Sequence, residues 1–149
     1  MAILTGIATR RASRSAMELC EVIDISTERG LLGDSRGKPG RRQVTVLSQE
    51  SWQAACDSLH TDLPWTLRRA NLLVQGLTFD ASHVGWRLRL GDAELEICYE
   101  CDPCPRMDEQ HQGLTAALQP DWRGGVCCRV IRAGTVRLGT RVSLEPAAL

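Results

Sequence analysis

Apolar residues along this chain fall mostly in short runs that alternate with polar ones, and two stretches repeat at helical spacing instead. Runs of strand character cover residues 2–8, 18–25, 43–47, 71–74, 87–90, 94–99, 126–131 and 135–138, separated by turn formers such as Gly76, Gly85, Gly91, Gly124-Gly125 and Gly139. Many short strands with regular turns predict a closed barrel or a sandwich, and closure would remove the edges that so many strands otherwise expose. The Arg87 to Leu90 run, followed by Gly91-Asp92 and the run from Glu94, reads as a hairpin, and Arg132-Ala133-Gly134 reads as a second. Helical spacing occurs at 49–59, where Ser48 stands as the N-cap and Trp52, Ala55, Cys56 and Leu59 form one stripe. It recurs at 114–118, stopped by Pro120. The expected fold is mainly β, a barrel with a few short α-helices, in a single domain over 1–149.

A chain of 149 residues is one ordinary domain, long enough to bury roughly two-thirds of its unfolded surface. Its 18 basic and 18 acidic side chains cancel. Attraction to nucleic acid or an anionic membrane is therefore not expected, although a local cationic pocket stays open. No apolar run approaches the roughly 20 residues of a membrane-spanning helix. The segment from Met1 to Cys20 places Arg10, Arg11 and Arg14 after its short apolar stretch, the reverse of a secretory signal. The expected location is cytoplasmic. Seven cysteines is an odd number for a disulfide framework, and Cys20 and Cys56 read as small core hydrophobes.

Cys101-Asp102-Pro103-Cys104 concentrates the chemistry. Upstream, Leu95, Ile97 and Tyr99 alternate with Glu94, Glu96 and Glu100, so the period of two carries Cys101 onto the apolar face. Pro103 ends the strand, which leaves Cys104 on the exit loop, open to a ligand. Such a pair has several meanings. It is half of a zinc site if Cys127, Cys128 or His111 completes it, although adjacent cysteines on a strand point to opposite faces. It is a redox dithiol if a positive environment lowers the thiol pKa, whereas Asp102, Asp108 and Glu109 surround it with negative charge. Otherwise Cys104 is a single thiolate ligand or sulfur carrier, with Cys101 in support or simply packed.

Arginines stand where strands begin: Arg41-Arg42, Arg68-Arg69 before Asn71, and Arg123 before Gly124-Gly125. Arginine's planar fork suits phosphate, and glycine lets backbone N–H groups approach it. Arg87 and Arg89 alternate with leucines and read as an outward face. No G-x-S-x-G elbow and no phosphate-loop fingerprint occurs, which leaves hydrolase and nucleotide-binding readings without support.

Taken in order, several segments resemble the MOSC domain, named for the C-terminal part of molybdenum-cofactor sulfurase. They are Gly30-Leu31-Leu32-Gly33-Asp34, Arg42 to Ser48, Arg69-Ala70-Asn71 through Leu77, the Cys101 to Cys104 element, and Arg123-Gly124-Gly125-Val126 through Val130. Ser35-Arg36 stand where the family often has a histidine, and Gly139-Thr140 replaces a closing Gly-Asp. The resemblance implies a MOSC-type β-barrel and binding of a molybdopterin-type molybdenum cofactor, or sulfur carriage as a persulfide. It implies Cys104 as the molybdenum ligand and reactive thiol, with Cys101 as a second sulfur. Arg69, Asn71, Arg123 and Arg42 would lie near the pterin phosphate, and Arg106 would favour the thiolate. Partners would be a sulfur-donor protein, itself the holder of any pyridoxal 5'-phosphate, or an electron-transfer protein. With the latter the chain would be a reductase component for N-hydroxylated compounds. A zinc-stabilised, non-enzymatic module is the rival from the residues alone.

Overall fold

The computed structural model describes residues 1–147. The chain opens with β1 (Ala2–Thr9), β2 (Glu18–Leu19), β3 (Val22–Ser26) and β4 (Gly30–Leu31). Next, β5 (Val44–Ser48) runs into α1 (Gln49–Ser58), and a 3-10 turn at Trp65–Arg68 leads to β6 (Leu72–Gln75). β7 (Arg87–Leu90) and β8 (Ala93–Glu100) precede two short helices, α2 (Met107–Gln110) and α3 (Leu114–Leu118). Three strands complete the described chain: β9 (Val126–Arg132), β10 (Gly134–Arg137) and β11 (Arg141–Glu145).

Seven strands close a barrel in the order β1-β11-β7-β8-β9-β5-β6, with Ala2 opposite Val142 at the seam. Neighbours are antiparallel except β5 and β6, which run parallel. A second sheet, β10-β3-β4, packs beside it. The barrel interior is filled by side chains such as Leu4, Val46, Leu72, Leu88, Leu95, Ile97 and Cys128. A second core lies outside the barrel wall, where Leu47 and Leu73 meet Trp52, Ala55, Cys56, Met107, Leu114 and Leu118 from the helices. Both faces of β5 are thus covered, and every one of its residues is buried instead of every other one.

Helix α1 starts as its sequence predicts. Ser51 N–H donates to Ser48 Oγ at 3.2 Å, and Ser51, Trp52, Ala55 and Cys56 form the buried stripe. Gly91 adopts a φ of 60° and closes the expected hairpin, with Leu90 opposite Ala93. The second expected hairpin does not form. After Gly134 the chain pairs with β3 instead, Gly134 opposite Ile25 through Arg137 opposite Val22. A Cβ at Gly134 would meet Ala93 N at 2.5 Å, so the glycine permits a tight crossing between sheets. The 18–25 run also divides: Cys20 N–H still bonds to Ile7 O at 3.1 Å, whereas Glu21 O already accepts from Leu138 N at 2.9 Å.

A bulge in β8 changes the phase of the alternation. Ile97 faces Cys128 and Tyr99 faces Cys127, so two steps of β8 oppose one of β9. Ile97 and Cys128 point into the barrel, and Tyr99 and Cys127 point outward. Cys101 is buried, as the apolar alternation implies, but on the outer face beneath the helices.

Gln43 ties the two sheets together. Its Nε2 donates to Thr27 O at 2.8 Å and Gly37 O at 3.0 Å, while its Oε1 accepts from Val130 N at 2.9 Å. Replacing Gln43 with alanine would strand buried groups on three segments. Gln43→Ala is expected to lose about 3 kcal/mol of stability, read as a lower urea midpoint; a change under about 0.5 kcal/mol would remove this role.

Candidate functional site

Cys101 extends the β8 ladder by one step, its N–H donating to Gly125 O at 2.9 Å. Pro103 then turns the chain away, and Cys104 stands exposed on the loop. That loop is pinned behind it: Cys104 O accepts from Met107 N at 3.0 Å and from Thr115 Oγ1 at 2.9 Å.

Arg68 enters from the 3-10 turn and is only 7% exposed. Its Nε donates to Gly124 O at 2.9 Å, and its Nη2 donates to Cys101 O at 2.7 Å and Cys101 Sγ at 3.2 Å. Its Nη1 lies 3.7 Å from Met107 Sδ. A Cβ at Gly124 would meet Cys101 O at 2.5 Å and Arg68 Nη2 at 3.2 Å, so this packing requires glycine. Among the described residues no carboxylate forms an ion pair with Arg68. The Cys101 sulfur is the acceptor that can carry the balancing charge. The Cys127 thiol as hydrogen-bond donor, with the charges of Arg68, Arg42 and Arg36, holds Cys101 at about 6 against the upward push of burial. Hydrogen bonding to Cys101 and burial push Cys127 the other way, so it keeps its proton.

Beside these thiols opens a cavity of about 280 Å³, which seven arginines line: Arg10, Arg14, Arg36, Arg42, Arg68, Arg69 and Arg106. Two carboxylates share it, Asp34 and Glu109. Asp34 is engaged by backbone, accepting from Arg10 N at 3.0 Å and Arg36 N at 3.3 Å. Among the described residues none of the seven guanidinium groups forms an ion pair. The crowding is visible in Arg10, held down to about 10 by burial and then by the charges of Arg36 and Arg69. Burial and the charge of Arg36 also lower Arg69. A neutral chain therefore presents a strongly cationic cavity.

Of the residues singled out from sequence, Cys101, Cys104, Arg42, Arg69, Asn71 and Arg106 line this cavity together. Arg123 is not among the lining residues, and its Nη1 donates to Ala117 O at 3.1 Å near the end of α3. Asn71 reaches the cavity with its carboxamide engaged: Oδ1 accepts from Thr45 N at 3.0 Å, and Nδ2 donates to Ala8 O at 3.2 Å. Arg69 turns in the left-handed region with a φ of 65°, and its Nη2 donates to Ser15 O. Arg10, Arg14 and Arg36 carry no sequence signal for this site, whereas Arg68 belongs to the basic pair noted before Asn71. The one signal for Arg68 was its place beside Arg69 at a strand start. Among the described residues no group of three or more His, Cys, Asp or Glu side chains converges as metal ligands, so the zinc reading lacks a ligand set.

No curated protein sequence matches this chain. Among solved structures, the YuaD protein from Bacillus subtilis has a TM-score of 0.82 at 19% identity, over 99% of this chain and 98% of that one. YiiM from Escherichia coli has a TM-score of 0.71 at 17% identity, over 98% and 71% of the two chains. YiiM from Geobacillus stearothermophilus has 0.70 at 17%, over 96% and 72%. At these identities the likeness is one of fold. A family model described as MOSC domain matches residues 28–143, well over half of the sequence. The chain belongs to the MOSC domain family, which is associated with the molybdenum cofactor.

Proposed function

We propose that the cavity binds a molybdopterin-type molybdenum cofactor, with arginines taking its phosphate and Cys104 meeting its metal. The observation that carries this reading is seven arginines, unpaired with carboxylates among the described residues, sharing one cavity with an exposed thiol. That donor set fits both demands of such a ligand. Guanidinium forks match phosphate oxygens, and a thiolate is a soft donor suited to molybdenum. When bound, the cofactor supplies a redox-active, thiophilic metal centre.

The remaining roles belong to the chain itself. Arg10, Arg36, Arg42 and Arg69 concentrate positive charge where an anion would arrive, and Arg69 is held by its bond to Ser15 O. Asp34 holds the Arg10 and Arg36 backbone in place through its two oxygens. Met107 and Thr115 fix the carbonyl of Cys104, which sets the direction in which its sulfur is offered. Asn71 orders the strand starts beneath the cavity, and Arg123 closes the end of α3; both act by positioning. Sulfur carriage on Cys104, or reduction of N-hydroxylated compounds with a separate electron donor, are finer activities of this reading.

Reduced protein incubated with molybdenum cofactor and passed through gel filtration is expected to retain molybdenum and pterin together, and Cys104→Ser to retain far less molybdenum. Absence of retention in the unmodified protein would overturn the binding reading. A gain of one sulfur atom at Cys104 after incubation with a persulfide donor would then redirect it to sulfur carriage.

Inorganic phosphate tests the arginine seat separately. At about 100 times its Kd it is expected to stabilise the fold by about 2.7 kcal/mol, a rise in Tm of roughly 5–10 °C. The rise should shrink in Arg36→Gln and Arg42→Gln. An equal rise with sodium chloride at matched ionic strength would show general screening instead of a phosphate seat.

A further inference from the structure

The spacing of the cysteines pairs Cys101 with Cys104, whereas the geometry pairs it with Cys127. Cys101 N–H bonds to Gly125 O and Tyr99 faces Cys127, which makes Cys101 and Cys127 diagonal neighbours on the outer face of β8 and β9. Arg68 Nη2 donates to the Cys101 sulfur at 3.2 Å, and Cys127 keeps its proton beside it. Cys101 lines the arginine cavity, and Cys127 is fully buried behind it. Cys104, the exposed member of the C-x-x-C pair, lies outside this arrangement.

We propose that Cys101 is a thiol–disulfide exchange site for small anionic disulfides, with Cys127 as the thiol that completes the exchange. Three independent features meet there. Arg68 donates to the Cys101 sulfur at 3.2 Å with no carboxylate ion-paired to it among the described residues, so the resting partner is the thiolate, the nucleophilic form. Seven arginines against two carboxylates concentrate anions at the mouth of that thiolate. A second thiol, Cys127, stands diagonally across the β8–β9 ladder to resolve the first product.

The first step forms a bond between Cys101 Sγ and one sulfur of the disulfide, while the other sulfur leaves with the electron pair as an anionic thiolate. Cys127 then attacks Cys101 Sγ and its proton leaves on the second half of the reagent, which ionises to thiolate in solvent. The net change is oxidation of two protein thiols to a disulfide and reduction of the reagent to two thiolates. A diagonal pair needs an adjustment of about an ångström to bridge, which at Cys101 would strain its bonds to Gly125 and Arg68 just past the end of β8. The charged and titratable groups facing Cys101 are Cys127, Arg68, Arg42 and Arg36, which favour the thiolate, and Glu100, Tyr99 and Cys128, whose ionisation it opposes in turn. A thiol that ionises near ambient pH is also the fastest attacking group in exchange. None of this requires Cys104 or molybdenum, so it stands or falls apart from the cofactor reading.

The test uses the full chain as Cys104→Ser, which removes the exposed thiol, and compares dianionic dithiobis(nitrobenzoate) with neutral dithiodipyridine. The expected result is an adduct mapped by peptide mass to Cys101, formed at least about tenfold faster with the dianion than the neutral reagent predicts from the unfolded chain. Its rate should rise with pH through a midpoint near 6. Two thiolates should be released per chain, falling to one in the additional Cys127→Ser variant. Peptide mapping of the chain with Cys101 intact locates the adduct even if a Cys101 variant fails to fold. First reaction at another cysteine, preference for the neutral reagent, or two thiolates released without Cys127 would each overturn the proposal. Molybdenum retention by the unmodified protein reports separately on the cofactor reading.

Discussion

Strands β5 and β6 run parallel inside a barrel whose other neighbours are antiparallel, and a parallel pair cannot be joined by a tight turn. The chain has to leave Ser48, cross the outer wall and re-enter at Leu72. That crossover builds the second core: α1, capped by Ser48, lays Trp52, Ala55 and Cys56 over Leu47 and Leu73. Its return leg delivers Arg68, Arg69 and Asn71 to the start of β6, beside Thr45 of β5. The antiparallel neighbour β1 ends there too, with Ala8 held by Asn71 and Arg10 just beyond. The cationic cavity is thus a consequence of topology: one parallel pairing gathers three basic segments from distant parts of the sequence.

Arg68 shows what that gathering demands. Burying a guanidinium costs several kcal/mol unless its donors are satisfied and its charge is answered. Carbonyls of Gly124 and Cys101 satisfy two donors, and Gly124 can approach because it has no side chain. The charge is answered by sulfur. Glu100 and Asp102 flank Cys101 in sequence, yet burial and the neighbouring charge and hydrogen bond of Asp102 raise Glu100, so these carboxylates engage each other. A thiolate is a softer and more reactive counter-ion than a carboxylate, which makes one structural ion pair a chemical site as well.

The parts legible in the sequence were those that local rules determine. Ser48 as a cap, the Trp52 stripe, the Gly91 hairpin, the outward Arg87 and Arg89, and the opposite faces of Cys127 and Cys128 all follow from short-range periodicity or turn chemistry. The errors arose where a long-range pairing overrode a local signal. Gly134 looks like a hairpin turn, but the strand after it finds β3, more than a hundred residues earlier. The β8 bulge is invisible to a count of alternation and sets the buried Cys101 on the outer face of the barrel. Arg10 and Arg36 gave no sign of a shared site because nothing in their neighbourhoods predicts that β1 and the loop after β4 end at the same place. The C-x-x-C motif is legible as a pair, but the register that sets Cys101 diagonally from Cys127 is not.

Net charge conceals the most consequential feature of the molecule. Eighteen bases and eighteen acids balance over the chain, but their distribution does not. Away from the cavity several arginines meet carboxylates: Glu96 lies 2.6 Å from Arg129 and 3.8 Å from Arg87, Glu145 meets Arg89, and Glu18 meets Arg11. Within it, seven guanidinium groups have two carboxylates, one of them committed to backbone. Burial and then like charges oppose folding here, and together they hold Arg10 down to about 10. A domain whose whole stability is of order 10 kcal/mol tolerates such a cluster only with compensation elsewhere. Part of it is internal, supplied by the Cys101 thiolate. On the proposed reading an anion from outside would supply the rest, and relief of this charge imbalance would contribute to its binding energy.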